Sequence, residues 1–167
     1  MYALQLPKML RGLKITSLDP GRIDQAYPLA RLAVHDLTLD GWRRFCAGVT
    51  VAAPAEAPRL GILAATNNRG YIQGLAIYRV EPDLRYGTSL AVEHFVALDL
   101  IDSGIVANEL VAALESEARR HGCRVIQAHL PQNLMVANAG ARQLFRILQR
   151  SGMATPARHV LASVGER

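Results

Sequence analysis

An alternating apolar segment in the middle of the chain runs directly into an amphipathic one, and this continuity restricts the possible folds most. From Thr88 onward, the first half is rich in Val, Phe and Leu, a pattern that predicts a β-strand inside a sheet. Val106 to His121 carries apolar residues at helical spacing with charged residues between them. Gly122 follows two arginines and a histidine, which is typical of a helix C-terminus. The segment therefore predicts a strand, a short loop and a helix.

The start of this predicted helix indicates a kind of ligand. It opens at the C-terminal end of the strand, where the first backbone N–H groups of a helix have no partner within the helix. Such a geometry suits an anion. Asp102 and Ser103 precede the helix, and either is a suitable N-cap.

The remaining segments predict an α+β order of one strand, two helices, three antiparallel strands, a helix, a strand, a helix and a strand. Pro28 is expected to interrupt or bend the first helix, and Asp40 to cap the second. The residues after the central helix form a strand reached by a crossover, so we expect it to be parallel to the central strand. The turns fall at 19–21, 67–70 and 81–83. The expected strands are 13–17, 60–66, 70–80, the central strand, 123–130 and 158–164, and the helices are 23–37, 41–48, the central helix and 139–151.

Composition narrows the class of protein. The 167 residues are expected to form one domain over 1–167, with 1–11 as an N-terminal extension. No apolar run reaches the roughly 18–20 residues of a membrane span, and the N-terminus does not resemble a signal peptide. The two cysteines are far apart without metal-ligand spacing, so we expect reduced thiols, no metal and a cytoplasmic protein.

The charge of the chain points to an anionic small molecule rather than to nucleic acid. The net charge is +5, but the arginines are spread along the chain and aromatic residues make up only 5% of it. Single-strand binding needs more aromatic residues for stacking. We therefore expect no nucleic-acid partner and no membrane partner.

Two stretches in continuous register resemble the GNAT acyltransferase family. Residues 92–97 (Val-Glu-His-Phe-Val-Ala) match the start of its strand motif, and residues 110–115 (Leu-Val-Ala-Ala-Leu-Glu) match its helix. Residues 138–145 match the first part of a second family signature on the last helix. The resemblance covers roughly residues 12–164. It implies a GNAT-like, mostly antiparallel sheet of 6–7 strands with helices on both faces, acetyl-CoA or another acyl-CoA as cofactor, and a small-molecule or peptide amine as acceptor. Dimers are common in the family, so a homodimer is a further expectation.

The resemblance also implies site residues. Glu93 is the candidate general base, acting directly or through water, and His94 is expected on the opposite face because strand side chains alternate. His129 is a third, weaker candidate. A simple pairing of Glu93 with an arginine and a core role for His94 remain open. The expected cofactor contacts lie on the strand, the following loop and the last helix: Phe95, Val96, Ala97, Ser103, Gly104, Ile105, Val106, Ala107 and Asn138.

A further segment is implied to line the acceptor site. It contains Trp42, Arg43, Arg44 and Phe45, although a helix that merely packs on the sheet would have the same sequence.

Departures from the family pattern keep other functions open. The family's glycine loop falls on residues 102–107, where only Ala107 fits, and its general-acid tyrosine falls on Phe145 or Leu148. Water or another side chain would therefore have to protonate the leaving thiolate. The expected function is an acetyl-CoA-dependent N-acetyltransferase. The alternatives are a GNAT-fold acyl-CoA-binding or regulatory module with little or no catalysis, and an unrelated α+β domain.

Overall fold

A mixed sheet with helices on both faces forms the framework of the protein. The computed structural model describes residues 12–50, 59–98, 104–128, 144, 146 and 160–163. Within these residues six strands lie side by side in chain order. Every pairing is antiparallel except the one between the fourth and fifth strands, which is parallel as predicted. The predicted fold class is therefore confirmed. The strands are β1 (Lys14–Ser17), β2 (Leu60–Thr66), β3 (Ile72–Asp83), β4 (Gly87–Ala97), β5 (Val125–Ala128) and β6 (Val160–Ser163).

Within the described ranges, three continuous α-helices cover the sheet: α1 (Ile23–Ala33), α2 (Leu39–Thr50) and α3 (Ile105–Arg120). On one face α3 packs its apolar stripe against alternate residues of β2, β3 and β4. On the other face α1 and α2 bury Trp42, Leu29 and Ala26 against the intervening residues, including Ile77 and Val96. The alternation of strand side chains thus creates two separate hydrophobic cores.

The ends of the helices differ in detail from the prediction. The prediction that Asp40 caps α2 is wrong, because the Thr38 hydroxyl accepts the Gly41 N–H at 3.1 Å and the Thr38 carbonyl accepts the Trp42 N–H at 2.9 Å. α1 continues through Pro28 but ends at Ala33, since Val34 is already extended.

The turns of the two hairpins are set by different side chains, and only the first lies where the sequence predicts it. Asn67 sets the β2–β3 turn as predicted, because its side chain accepts the N–H groups of Arg69 and Tyr71 at 3.0 and 2.9 Å. The turn predicted at 81–83 is wrong: these residues belong to β3 and pair with β4, and the chain turns at 84–86. Asp83 closes that turn by accepting the Arg85 and Tyr86 N–H groups, each at 2.8 Å.

Several predictions lie outside the described residues. The N-terminal extension and most of the helix predicted at 139–151 belong there, although Leu144 and Arg146 are both helical and Leu144 is buried. No helix among the described residues is long and apolar enough to cross a membrane.

Candidate active site

A β-bulge interrupts β4 at the residue predicted to be the general base. Tyr78 of β3 lies opposite Val92, whereas the preceding residue, Ile77, lies opposite His94. Glu93 is therefore an extra residue in β4. Such bulges bend the strand and redirect its side chains.

The sheet changes its pairing at the same point. The parallel pairing of β4 with β5 ends at Val92 opposite Ala128, whereas β4 runs on to Ala97 alongside β3. The last five residues of β4 thus extend past the described pairing with β5 and lead towards the start of α3. The bulge, the last residues of β4 and the start of α3 therefore make up the candidate site.

The bulge brings Glu93 and His94 to one face of the sheet, so the prediction of opposite faces is wrong. His94 lies directly opposite Ile77, which is part of the core under α1 and α2. Arg79 is two residues from Ile77 and shares its face. The Glu93 carboxylate reaches Arg79 on this same face. Simple alternation fails here because the extra residue shifts the phase of the strand.

Glu93 forms an ion pair. Its Oε1 accepts a hydrogen bond from Arg79 Nε at 2.8 Å, and the two side chains are 31% and 47% exposed, respectively. The hydrogen bond with Glu93 raises the pKa of Arg79 above its already high usual value. Because an exposed pair of this kind contributes about 1 kcal/mol or less to stability, its principal effect is to orient the carboxylate. An arginine partner for Glu93 is among the expectations from the sequence, but Arg79 could not be identified there, because its position opposite Ala91 becomes informative only once the bulge is known.

His94 has an unusual environment. Its Nδ1 is buried and has no hydrogen-bond partner among the described residues. Burial lowers the pKa of His94, and the nearby Glu93 carboxylate only partly opposes this effect. The imidazole is therefore neutral at neutral pH and can accept a hydrogen bond or a proton.

This burial predicts a pH dependence of stability. The folded-state pKa of His94 lies below the unfolded value near 6.5, so the unfolded chain binds a proton first as the pH falls. Stability is expected to fall as the pH drops through and below 6.5. Urea unfolding at pH 7.5 and 5.5 should show a smaller loss for His94→Gln than for the unaltered protein. His121, whose pKa is also lowered, is present in both proteins and therefore cannot account for a difference between them. Equal losses of stability in the two proteins would contradict the prediction.

The start of α3 lacks a side-chain cap. Gly104 is the N-cap residue, with the left-handed φ of 63° that glycine adopts without strain, and its carbonyl accepts the Asn108 N–H at 2.8 Å. The prediction that Asp102 or Ser103 caps the helix is therefore wrong. No acidic residue occupies the first turn. The positive end of the helix dipole is thus not neutralised by a side chain of that turn.

The other predicted site residues fall into three groups. Phe95, Val96 and Ala97 are buried in the cores, as are Val106 and Ala107 of α3, so their side chains serve packing. Ile105 begins the helix and is partly buried. Outside the described residues lie Ser103, His129, Asn138, Phe145 and Leu148. Among the residues that the structure describes, no three His, Cys, Asp or Glu side chains are grouped to hold a metal ion.

The helix segment expected to line an acceptor site is mostly structural. Trp42 is buried and its Nε1–H donates to the Ile23 carbonyl at 2.8 Å. Phe45 stacks on it with ring centres 6.0 Å apart. Arg43 pairs with Asp24 at 2.6 Å, which lowers the pKa of that exposed carboxyl. Of the four, Arg44 is exposed without a described ion pair.

Comparison with known proteins identifies the fold. No family model matches the chain, and no curated protein matches it by sequence. Solved structures do match: the aminoglycoside N-acetyltransferase AAC(6')-Iy in complex with CoA superposes with a TM-score of 0.69 at 15% identity, over 87% of this chain and 90% of that one. Glucosamine-6-phosphate N-acetyltransferase from Arabidopsis thaliana gives 0.63 at 14% identity, over 87% and 93%. A GNAT-family acetyltransferase from Streptococcus pneumoniae gives 0.60 at 15%, over 87% and 86%.

Proposed function

We propose that this chain, which has the GNAT fold, is an N-acetyltransferase that moves an acetyl group from acetyl-CoA to an amine of a small molecule or protein in the cytoplasm. The observation that carries the proposal is the bulge at Glu93, at the point where the described pairing of β4 with β5 ends. It puts a carboxylate and a neutral imidazole beside the part of β4 that lies past its described pairing with β5. The fold itself is compatible with many functions, so the argument depends on this site.

The described residues fit an acyl-CoA. The start of α3 has a glycine N-cap and no acidic residue in its first turn, which favours the negative pyrophosphate there. The buried side chains of Phe95 to Ala97 leave the β4 backbone as the part that faces a thioester. Bound acetyl-CoA supplies the activated acyl group. AAC(6')-Iy has been solved with CoA and with a CoA bisubstrate analogue, which supports this choice of cofactor.

In the proposed mechanism, Glu93 accepts the proton that the amine loses as its nitrogen attacks the thioester carbonyl. The C–N bond forms, the C–S bond breaks, and water protonates the leaving thiolate. Arg79 holds the carboxylate in one orientation at 2.8 Å. His94, whose buried Nδ1 has no partner among the described residues, is a second candidate proton acceptor in the same part of β4. His129 stays a weaker candidate.

Tyr78 is not proposed as an acid for this step. Its hydroxyl donates to Glu117 at 2.9 Å on the α3 face, and burial raises its pKa strongly. It therefore holds its proton in a structural hydrogen bond, away from the face that carries Glu93.

The proposal is tested by titrating the protein with acetyl-CoA in a calorimeter and then measuring thiol release with a panel of amines. We expect saturable binding and acceptor-dependent release of CoA thiol. No binding at millimolar acetyl-CoA would exclude the proposed function. Desulfo-CoA serves as a control that binds the same contacts but carries no acyl group.

A second candidate function is an acyl-CoA-binding module without efficient catalysis. The ion pair of Glu93 with Arg79 favours it, because the carboxylate already has a structural partner. Saturable acetyl-CoA binding without thiol release against the whole amine panel would identify this function.

A further inference from the structure

A pocket lies on the α3 face of the sheet, beyond the C-terminal end of that helix. There the β3–β4 hairpin extends past α3 and leaves a space of about 380 Å³. Its walls include Arg59, Val80, Pro82, Gly87, Thr88 and His121. We call it the hairpin pocket. Its volume falls in the lower part of the roughly 300–1,000 Å³ range of small-molecule sites.

The hairpin pocket is bordered by a cationic side chain that has no described partner. Arg59 is exposed and makes no ion pair or side-chain hydrogen bond with any residue in the described ranges. Burial lowers the pKa of His121, and the charges of Arg120 and Arg59 lower it further against the opposing effect of Glu117. Glu81 also borders the space, but it follows Arg79 at two residues' distance on β3, and so belongs to the opposite face of the sheet.

The His121 side chain is largely buried beside Glu117. Its side chain is only 8% exposed, and its Nε2 lies 3.8 Å from Glu117 Oε2 without a hydrogen bond. That carboxylate oxygen is already engaged by the Tyr78 hydroxyl at 2.9 Å and by Arg120 at 2.6 Å. The imidazole borders the hairpin pocket, and Glu117 is not available as its hydrogen-bond partner.

The end of α3 does not oppose an anion as strongly as a bare helix terminus would. Gly122 has a positive φ of 66°. Its N–H donates to the Arg119 carbonyl at 3.1 Å, and the Cys123 N–H donates to the Ala118 carbonyl at 2.8 Å. This Schellman motif satisfies carbonyls that would otherwise repel negative charge.

We propose that the hairpin pocket binds a small dianion, a phosphate monoester or a dicarboxylate, through Arg59 and His121. The 16 residues of α3 separate this pocket from the helix start by about 24 Å. It is therefore a site distinct from the acyl-CoA site proposed above, and it does not depend on that proposal.

The test is an amide-resolved NMR titration of the full chain with inorganic phosphate and, separately, with succinate, each at the ionic strength of a chloride reference. We expect saturable shifts of the Gly87, Thr88 and His121 amides. Arg59→Gln should weaken the binding about tenfold or more, because a charge-assisted hydrogen bond is lost. Arg69→Gln is the matched control, since Arg69 is an exposed arginine in the hairpin at the other end of β2.

Each outcome is decisive. Phosphate binding without succinate binding assigns a phosphate monoester, and the reverse assigns a dicarboxylate. Shifts confined to residues 104–108, shifts that do not saturate, or equal weakening by Arg59→Gln and Arg69→Gln would overturn the proposal.

Discussion

Glu93→Gln is expected to lower turnover by about a hundredfold or more while leaving the affinity for acetyl-CoA within about twofold. A positioned general base contributes roughly 10²- to 10⁴-fold to a rate, and glutamine keeps the shape of the side chain but cannot accept the proton. The cofactor contacts proposed here are backbone groups of β4 and the start of α3, which the substitution does not touch. Thiol release under saturating amine, with calorimetry for acetyl-CoA, measures both quantities.

Arg79→Gln distinguishes a catalytic carboxylate from a structural one. The loss of the 2.8 Å hydrogen bond leaves the Glu93 carboxylate without the partner that orients it, so turnover should fall, though by less than in Glu93→Gln. In the Glu93→Gln background Arg79→Gln should have no further effect on turnover, because Arg79 acts only through that carboxylate. Unchanged turnover in Glu93→Gln would remove Glu93 as the base. His94→Gln would then be the next variant to assay, since His94 lies on the same face.

The elements of the sheet could be predicted from the sequence where local signals agreed. The alternation of apolar residues and the turn at Asn67 predict β2 at 60–66, and the structure has it at Leu60–Thr66. The C-terminus of α3 followed from Gly122 and its preceding cations. In both cases the local conformation depends mainly on one residue, Asn67 in the turn and Gly122 at the end of the helix, so the local sequence pattern is enough to predict it.

The errors arose where a tertiary contact decided between two local choices. Pro82 suggested a turn, but proline can remain in a strand where its missing N–H is not needed, and Pro82 pairs opposite Thr88 in the extended hairpin. Asp40 and Thr38 are both good caps, and only the path of the chain after α1 selects Thr38. Composition could not separate these possibilities.

The candidate site also shows that tertiary pairing cannot be predicted from the local sequence. Glu93 and His94 were found from their resemblance to a known motif, yet their relative orientation was wrong because a bulge leaves no mark in an alternating sequence. Arg79 was missed for the same reason. A cross-strand partner can be assigned only when the register is known, and one extra residue changes the register.

Gly61→Ala is expected to destabilise the protein by about 1–3 kcal/mol, the usual cost of forcing extra volume into a packed site. Gly61 lies directly opposite Tyr78 in the β2–β3 pairing. A Cβ at Gly61 would come within 2.4–2.5 Å of three atoms of the Tyr78 side chain. The ring cannot retreat easily, because it is 2% exposed and its hydroxyl is bonded to Glu117 on α3.

Gly48→Ala provides the matched control for that substitution. Gly48 is a helical residue of α2, and a Cβ there would meet nothing within 4 Å. The same chemical change should therefore stabilise the protein by about 0.5–1 kcal/mol, since alanine favours a helix over glycine. Opposite signs of the two changes in urea unfolding would confirm that steric contact with Tyr78 makes glycine necessary at position 61.

In a Tyr78→Ala background the penalty of Gly61→Ala should shrink, because neighbouring substitutions that share one contact are not additive. An undiminished penalty in that background would show that the strand backbone, and not the aromatic ring, requires glycine.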